Sequence, residues 1–176
     1  MFFVLTLCKN LVVTPEYLGP NLYFHIIDVL KRTVEGSCSP RYGYLLKVLK
    51  MGEIGEGKVK DGAGDVVFQV TYRALVFMPY PGEVMDAVIT EASALGFFAD
   101  AGPMRLFVSA QSNISLDYRF DQHAKPLAGW VSTEDVGLRL EAGKTVRVRL
   151  NGMQVETSEI YGVCTIAEDF LGPVVA

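Results

Sequence analysis

The segment Gly52-Glu-Ile-Gly-Glu-Gly-Lys58 has the spacing of a phosphate-binding loop, and a strand-like run precedes it. Such a loop needs Ser or Thr after the lysine to hold magnesium, and then a helix whose N-terminal amides face the phosphates. Here Val59 follows, and Lys60-Asp-Gly-Ala-Gly-Asp65 cannot open a helix. The segment reads instead as an exposed glycine-rich loop, pliable enough to reshape against a partner. Nucleophilic catalysis would need His25 or His123, the only histidines, as base. His25 falls in a helical pattern and His123 in a long irregular connection. Glu134-Asp135 and Glu168-Asp169 are adjacent pairs, and strand neighbours point to opposite faces, so they do not converge on one substrate. Cys8, Cys38 and Cys164 are odd in number and far apart, which fits a reducing compartment and gives neither zinc spacing nor a disulfide framework. Asn113-Ile-Ser115 matches a glycosylation triplet but carries no meaning without a secretion signal. The expectation is no catalytic centre, no metal and no cofactor.

The elements around these residues fall into two modules within 176 residues. Residues 1–80 hold nine basic and seven acidic side chains, and residues 81–176 hold seven and thirteen. The seam is Met78-Pro-Tyr-Pro-Gly82, where two prolines and a glycine punctuate the chain. The first module is expected to be α+β. Residues 2–13 read as a strand rather than a signal peptide, because no positive charge precedes them and no cleavage pattern follows. Leu22, Ile26, Val29 and Leu30 form a helical stripe behind Asn21 as N-cap, with Gly36 ending it. Strands are expected at 44–49 and 65–77, separated by the glycine loop 52–65.

The second module is expected to be a small five-stranded barrel, with strands at 83–92, 96–100, 104–109, 144–150 and 159–167. The connection 110–143 carries Tyr118, Phe120 and Trp130 and leaves room for a short helix. The period of two places Phe97, Ala99, Leu106, Val108, Val146, Val148 and Leu150 inside. It places Phe98, Arg105, Phe107, Arg147 and Arg149 outside. Outward rings and guanidinium groups on a barrel are the parts of a platform for single-stranded nucleic acid. The competing reading is that the rings are covered by the 110–143 connection or by a partner protein. A net charge of −4 and a pI of about 5.2 exclude a globally basic nucleic-acid binder. No apolar run reaches the length of a membrane helix.

Gly82-Glu-Val-Met-Asp-Ala-Val, Leu95-Gly-Phe-Phe and Leu106-Phe-Val-Ser resemble the opening of an S1-type OB barrel. Met1-Phe-Phe, Leu18-Gly-Pro20, Val34-Glu-Gly-Ser-Cys38, Tyr72-Arg-Ala-Leu-Val-Phe-Met-Pro79, Gly102-Pro-Met104 and Glu168-Asp-Phe-Leu-Gly172 occur in order around it. Together they resemble the family of the seventh subunit of eukaryotic RNA polymerase II, which has relatives in polymerases I and III and in archaeal polymerase. The resemblance implies a truncated ribonucleoprotein-like tip domain over 1–80 and the OB barrel over 81–176. It implies a non-catalytic nuclear subunit that pairs with the fourth subunit as a stalk. That stalk docks on the polymerase core near the RNA exit channel, supports initiation and contacts nascent single-stranded RNA. Docking would use the turn Tyr17, Leu18, Gly19, Pro20 and the loop residues Gly57, Gly62 and Gly64. The alternatives are the equivalent subunit of polymerase I or III, or a free-standing S1 protein. A free-standing RNA binder should be net basic, whereas this chain is acidic with a mean hydropathy of +0.27.

Overall fold

The computed structural model describes residues 1–111, 113–114, 117–122, 128–133, 137–156 and 159–174. The chain divides into two compact units, Met1–Met78 and Pro79–Ala176. In the first unit β1 (Phe2–Val13) pairs antiparallel with β5 (Val66–Phe77) in a register unbroken from Phe2↔Phe77 to Val13↔Val66. A 3-10 turn (Pro15–Tyr17) leads into the helix α1 (Leu22–Val34). Ile26, Leu30 and Val34, four residues apart, bury one stripe of α1 against Leu11, Val48, Val70 and Ala74 of the sheet. Asn21 holds the N-cap position, but its side chain makes no capping hydrogen bond. At the other end the Val48 amide donates to Glu35 Oε1 at 3.0 Å, tying the helix terminus to the sheet.

The rest of this sheet departs from the sequence expectation. Strand β3 (Gly43–Ile54) extends well past residue 49, after the two-residue β2 (Cys38–Ser39). Its pairing with β5 shifts at Leu45/Lys47, Val48/Lys50 and Met51/Ile54. Each bulge adds one or more residues and breaks the strict alternation by which a strand is recognised. The glycine segment is therefore not a continuous loop: Gly52 lies in β3, and β4 (Lys58–Val59) pairs with Val66 and Val67 of β5. The sheet order is β1-β5-β3-β2. Its second face carries the cross-strand rows Val4–Leu75–Lys47 and Thr6–Arg73–Lys50.

In the second unit β6 (Val84–Ser93), β7 (Gly96–Ala101) and β8 (Met104–Ser109) form an antiparallel meander. Strand β13 (Ile160–Thr165) pairs parallel with β8 and antiparallel with β12 (Thr145–Val155), which returns to β6 and closes the barrel. A short β14 (Gly172–Pro173) adds to β12. Phe97, Ala99, Leu106, Val108, Val146 and Leu150 are fully buried, as strand alternation requires. Among its described residues the connection forms no helix but a three-stranded sheet of β9 (Tyr118–Asp121), β10 (Gly129–Ser132) and β11 (Arg139–Glu141). Trp130 anchors it: the ring is 8% exposed, packs 5.5 Å from Phe120, and its Nε1–H donates to the Ser93 carbonyl at 3.1 Å. The fold class expected from sequence, an α+β unit followed by an S1-type OB barrel, is the one observed.

Candidate nucleic-acid interface

Phe98 and Phe107 stand opposite one another on the outer face of the β7–β8 pair, because each follows a buried residue in an alternating strand. Their ring centroids are 4.9 Å apart at an interplanar angle of 42°. The guanidinium carbon of Arg105 lies 5.6 Å from the centroid of Phe98, within cation–π range. The parallel pairing of β8 with β13 then sets Tyr161 beside Arg105 and Val163 beside Phe107. These side chains border an open trough of about 320 Å³ that also reaches Met153 and Gln154 of β12. None of the described residues of the 110–143 connection lines it.

Arg147 and Arg149 also face outward, but they do not line this trough. Arg147 donates from Nε to Asp86 Oδ1 at 2.7 Å and from Nη2 to Oδ2 at 3.0 Å. That pairing, first through its hydrogen bonds, holds the Asp86 carboxyl below the usual carboxylate range. Arg149 pairs with Glu168, one of the adjacent carboxylates Glu168-Asp169. Alternation places these cations correctly, but it does not say that each is neutralised by a residue distant in sequence.

Tyr161 (39% exposed) and Val163 (47% exposed) escaped the sequence reading. The signal was present: in β13 Ile160 and Cys164 are fully buried and Tyr161 and Val163 alternate with them. Tyr161 Oη donates to Glu159 Oε2 at 2.5 Å, and that carboxylate raises the phenol pKa above its ordinary value.

The expected docking residues converge at one end of the first unit. The Tyr17 ring stacks on His25 of α1 at 3.8 Å and 7°, which joins the 3-10 turn to the first turn of the helix. Leu18 and Tyr17 are exposed, and a Cβ at Gly64 would sit 3.4 Å from Pro15 Cγ, so the glycine turn lies against the 3-10 turn. Tyr23 and Phe24 at the start of α1 are also exposed and were not singled out from sequence. Gly62 and Gly64 have φ of +84° and +71°. Gly57 is different: its need is space, since a Cβ there would lie 2.7 Å from Phe68 Cε1 and Val66 Cγ1.

Burial raises the thiol pKa of Cys38, and pushes Cys164 up to about 12, so neither offers a thiolate near neutral pH. Cys8 is exposed. Among the described residues no three His, Cys, Asp or Glu side chains gather as a metal site, and no helix is long and apolar enough to cross a membrane. His123, Ser115 and the pair Glu134-Asp135 lie outside the described residues.

The comparisons with known proteins agree with both units. The description "SHS2 domain found in N terminus of Rpb7p/Rpc25p/MJ0397" matches residues 10–64, and "S1 RNA binding domain" matches residues 79–162. DNA-directed RNA polymerase II subunit rpb7 of Dictyostelium discoideum is 42% identical over 173 residues, covering 98% of each chain. The chain belongs to the RNA polymerase II subunit 7 family. Its similarity to the Saccharomyces cerevisiae member is 34% over 176 residues, covering 99% of this chain and all of that one. DNA-directed RNA polymerase V subunit 7 of Arabidopsis thaliana is 26% identical over 151 residues, covering 84% of this chain and 82% of that one. In this subunit 7 family member the S1 match takes in the trough residues of β7, β8 and β12 and, in β13, Tyr161 and Gly162, and it ends one residue before Val163.

Proposed function

We propose that this chain is a non-catalytic subunit of nuclear DNA-directed RNA polymerase II. It pairs with the fourth subunit as a stalk, docks on the core near the RNA exit channel through the first unit, and contacts nascent single-stranded RNA with the barrel. The observation that carries the reading is similarity along the whole length, 42% identity over 98% of both chains, to a polymerase II subunit. Three features of the molecule support its parts. The tip end combines exposed Tyr17, Leu18 and Phe24 with a glycine turn, a surface suited to docking in a pocket. The sheet face opposite α1 exposes Phe2 and Val4 next to Lys47, Lys50 and Arg73, apolar surface that a partner with carboxylates would cover. The barrel presents two outward rings and a cation, the elements of sequence-tolerant single-strand binding.

Depletion of the chain and its partner from a nuclear extract tests the role in initiation. Promoter-directed transcription falls and recovers on adding the purified pair, whereas elongation on a tailed template is unchanged. Equal effects on both templates would contradict a role centred on initiation.

A further inference from the structure

Strand alternation builds the trough from two parallel rows of outward side chains. The first row runs Phe98, Phe107, Val163, Gly152 across β7, β8, β13 and β12. The second runs Arg105, Tyr161, Gln154 across β8, β13 and β12. Between them lies a row of inward-facing residues, Leu106, Gly162 and Met153, so the floor is sheet backbone. Rows two residues apart along a strand are separated by about 6.6–6.8 Å. A flat ring in carbon contact on both faces, at about 3.5–4.0 Å each, needs about 7–8 Å. The row spacing thus comes close to what one planar ring held edge-on needs, and the trough offers about 320 Å³ for it.

The two ends differ. At the β7 end Arg105 crosses over Phe98 and closes the trough. At the β12 end the first row stops at Gly152, just after Asn151 bulges out of the register, and nothing lies within 4 Å of the position a Cβ would take. One wall is aliphatic and aromatic. The other is the Tyr161 ring, held by its hydrogen bond to Glu159, with Gln154 exposed beside it.

Resting on the reading that the barrel contacts single-stranded RNA, we propose that the trough seats one unstacked nucleobase, inserted from the Gly152 end and clamped between Phe107–Val163 and Tyr161. Binding is then driven by insertion of a base rather than by neutralising a run of phosphates. Arg105 is the cation at the trough, so the salt dependence attributable to it is shallow, about 0.7 in log–log slope for one phosphate contact.

The test uses the full chain in its co-purified complex, with a labelled oligouridylate and an abasic oligomer of the same length as probes. Tyr161→Ala removes a wall and Gly152→Leu fills the entrance. Each weakens oligouridylate binding about tenfold or more, while Tyr161→Phe, which keeps the ring, stays within about twofold. The abasic oligomer binds weakly and alike to all variants. If Phe98→Ala weakens binding but Tyr161→Ala and Gly152→Leu do not, the clamp is refuted and the RNA face stands. If wild type binds and Phe98→Ala is also without effect, the RNA face itself is misassigned and the clamp falls with it. Tyr161 and Gly152 both face outward, and one change removes volume while the other adds it, so misfolding of either variant leaves the other to decide.

Discussion

Arg147 grips Asp86 through both carboxylate oxygens, at 2.7 and 3.0 Å, across the β12–β6 pair of the barrel. An outward arginine is thereby converted from a free phosphate ligand into half of a neutral pair. The folded-state pKa of Asp86 is depressed, so the pair is intact above the ordinary carboxylate range and is lost only as pH falls through the depressed value. At neutral pH Arg147→Ala therefore leaves RNA affinity nearly unchanged, whereas Asp86→Asn frees the cation and steepens the salt dependence by about 0.7 in log–log slope. Fluorescence anisotropy across a salt series measures both. A loss of slope in Arg147→Ala would show that RNA displaces Asp86.

The two rings carry more. Stacking contributes roughly 1–3 kcal/mol per base by alanine substitution, so Phe98→Ala with Phe107→Ala lowers oligonucleotide affinity by about tenfold or more. Both rings lie on the outer face, so the double variant keeps the wild-type thermal midpoint within a few degrees, measured by circular dichroism.

A third expectation concerns the sheet face opposite α1. Phe2 is 57% exposed and Val4 46%, in a strand with one charged residue and no proline. Long apolar strands left uncovered associate. Expressed alone, the chain self-associates, and co-expression with its partner gives a monodisperse heterodimer by size exclusion with light scattering. Val4→Glu weakens that heterodimer. A stable monomer from the lone chain would count against an obligate partner.

The tip is tested by backbone conformation. Gly62 and Gly64 occupy the left-handed region, which residues with a Cβ resist at a cost of about 1–2 kcal/mol each. Gly62→Val with Gly64→Val reshapes the turn and weakens core binding in a pull-down while leaving the heterodimer intact. Gly57 is excluded from this test because its replacement would strike Phe68 and disturb the sheet.

Thiol accessibility provides a check on burial. With Cys164 at about 12 and Cys38 also raised, both stay protonated at mildly alkaline pH, and raising the pH by one unit does not expose them. A maleimide titration of the native chain modifies Cys8 alone, as mass spectrometry would show. Rapid modification of Cys164 would contradict the closed barrel.

Much of this molecule is written in local pattern. The barrel strands and the inside positions Phe97, Leu106 and Val148 follow from a period of two, and α1 follows from Leu22, Ile26 and Leu30. What was hidden is non-local or aperiodic. The three bulges of β3 shift its alternation, so its second half looked like loop. The three-stranded insertion has strands of three or four residues, too short to set a period. The partners of Arg147 and Arg149 lie 61 and 19 residues away, and no spacing rule reaches them. Tyr161 was legible in its strand, but its meeting with Arg105 depends on the parallel β8–β13 pairing, which only the closed barrel supplies.

Membership of the polymerase II assembly underlies both the docking role of the first unit and the RNA contact of the barrel. A tagged chain expressed at native level, purified from nuclear extract with quantitative mass spectrometry of its associates, tests this directly. The expected result is recovery of the two largest polymerase II subunits together with one small partner in near-equal amount. Recovery of the large subunits of polymerase I or III instead, or of the chain free of any polymerase, would contradict it.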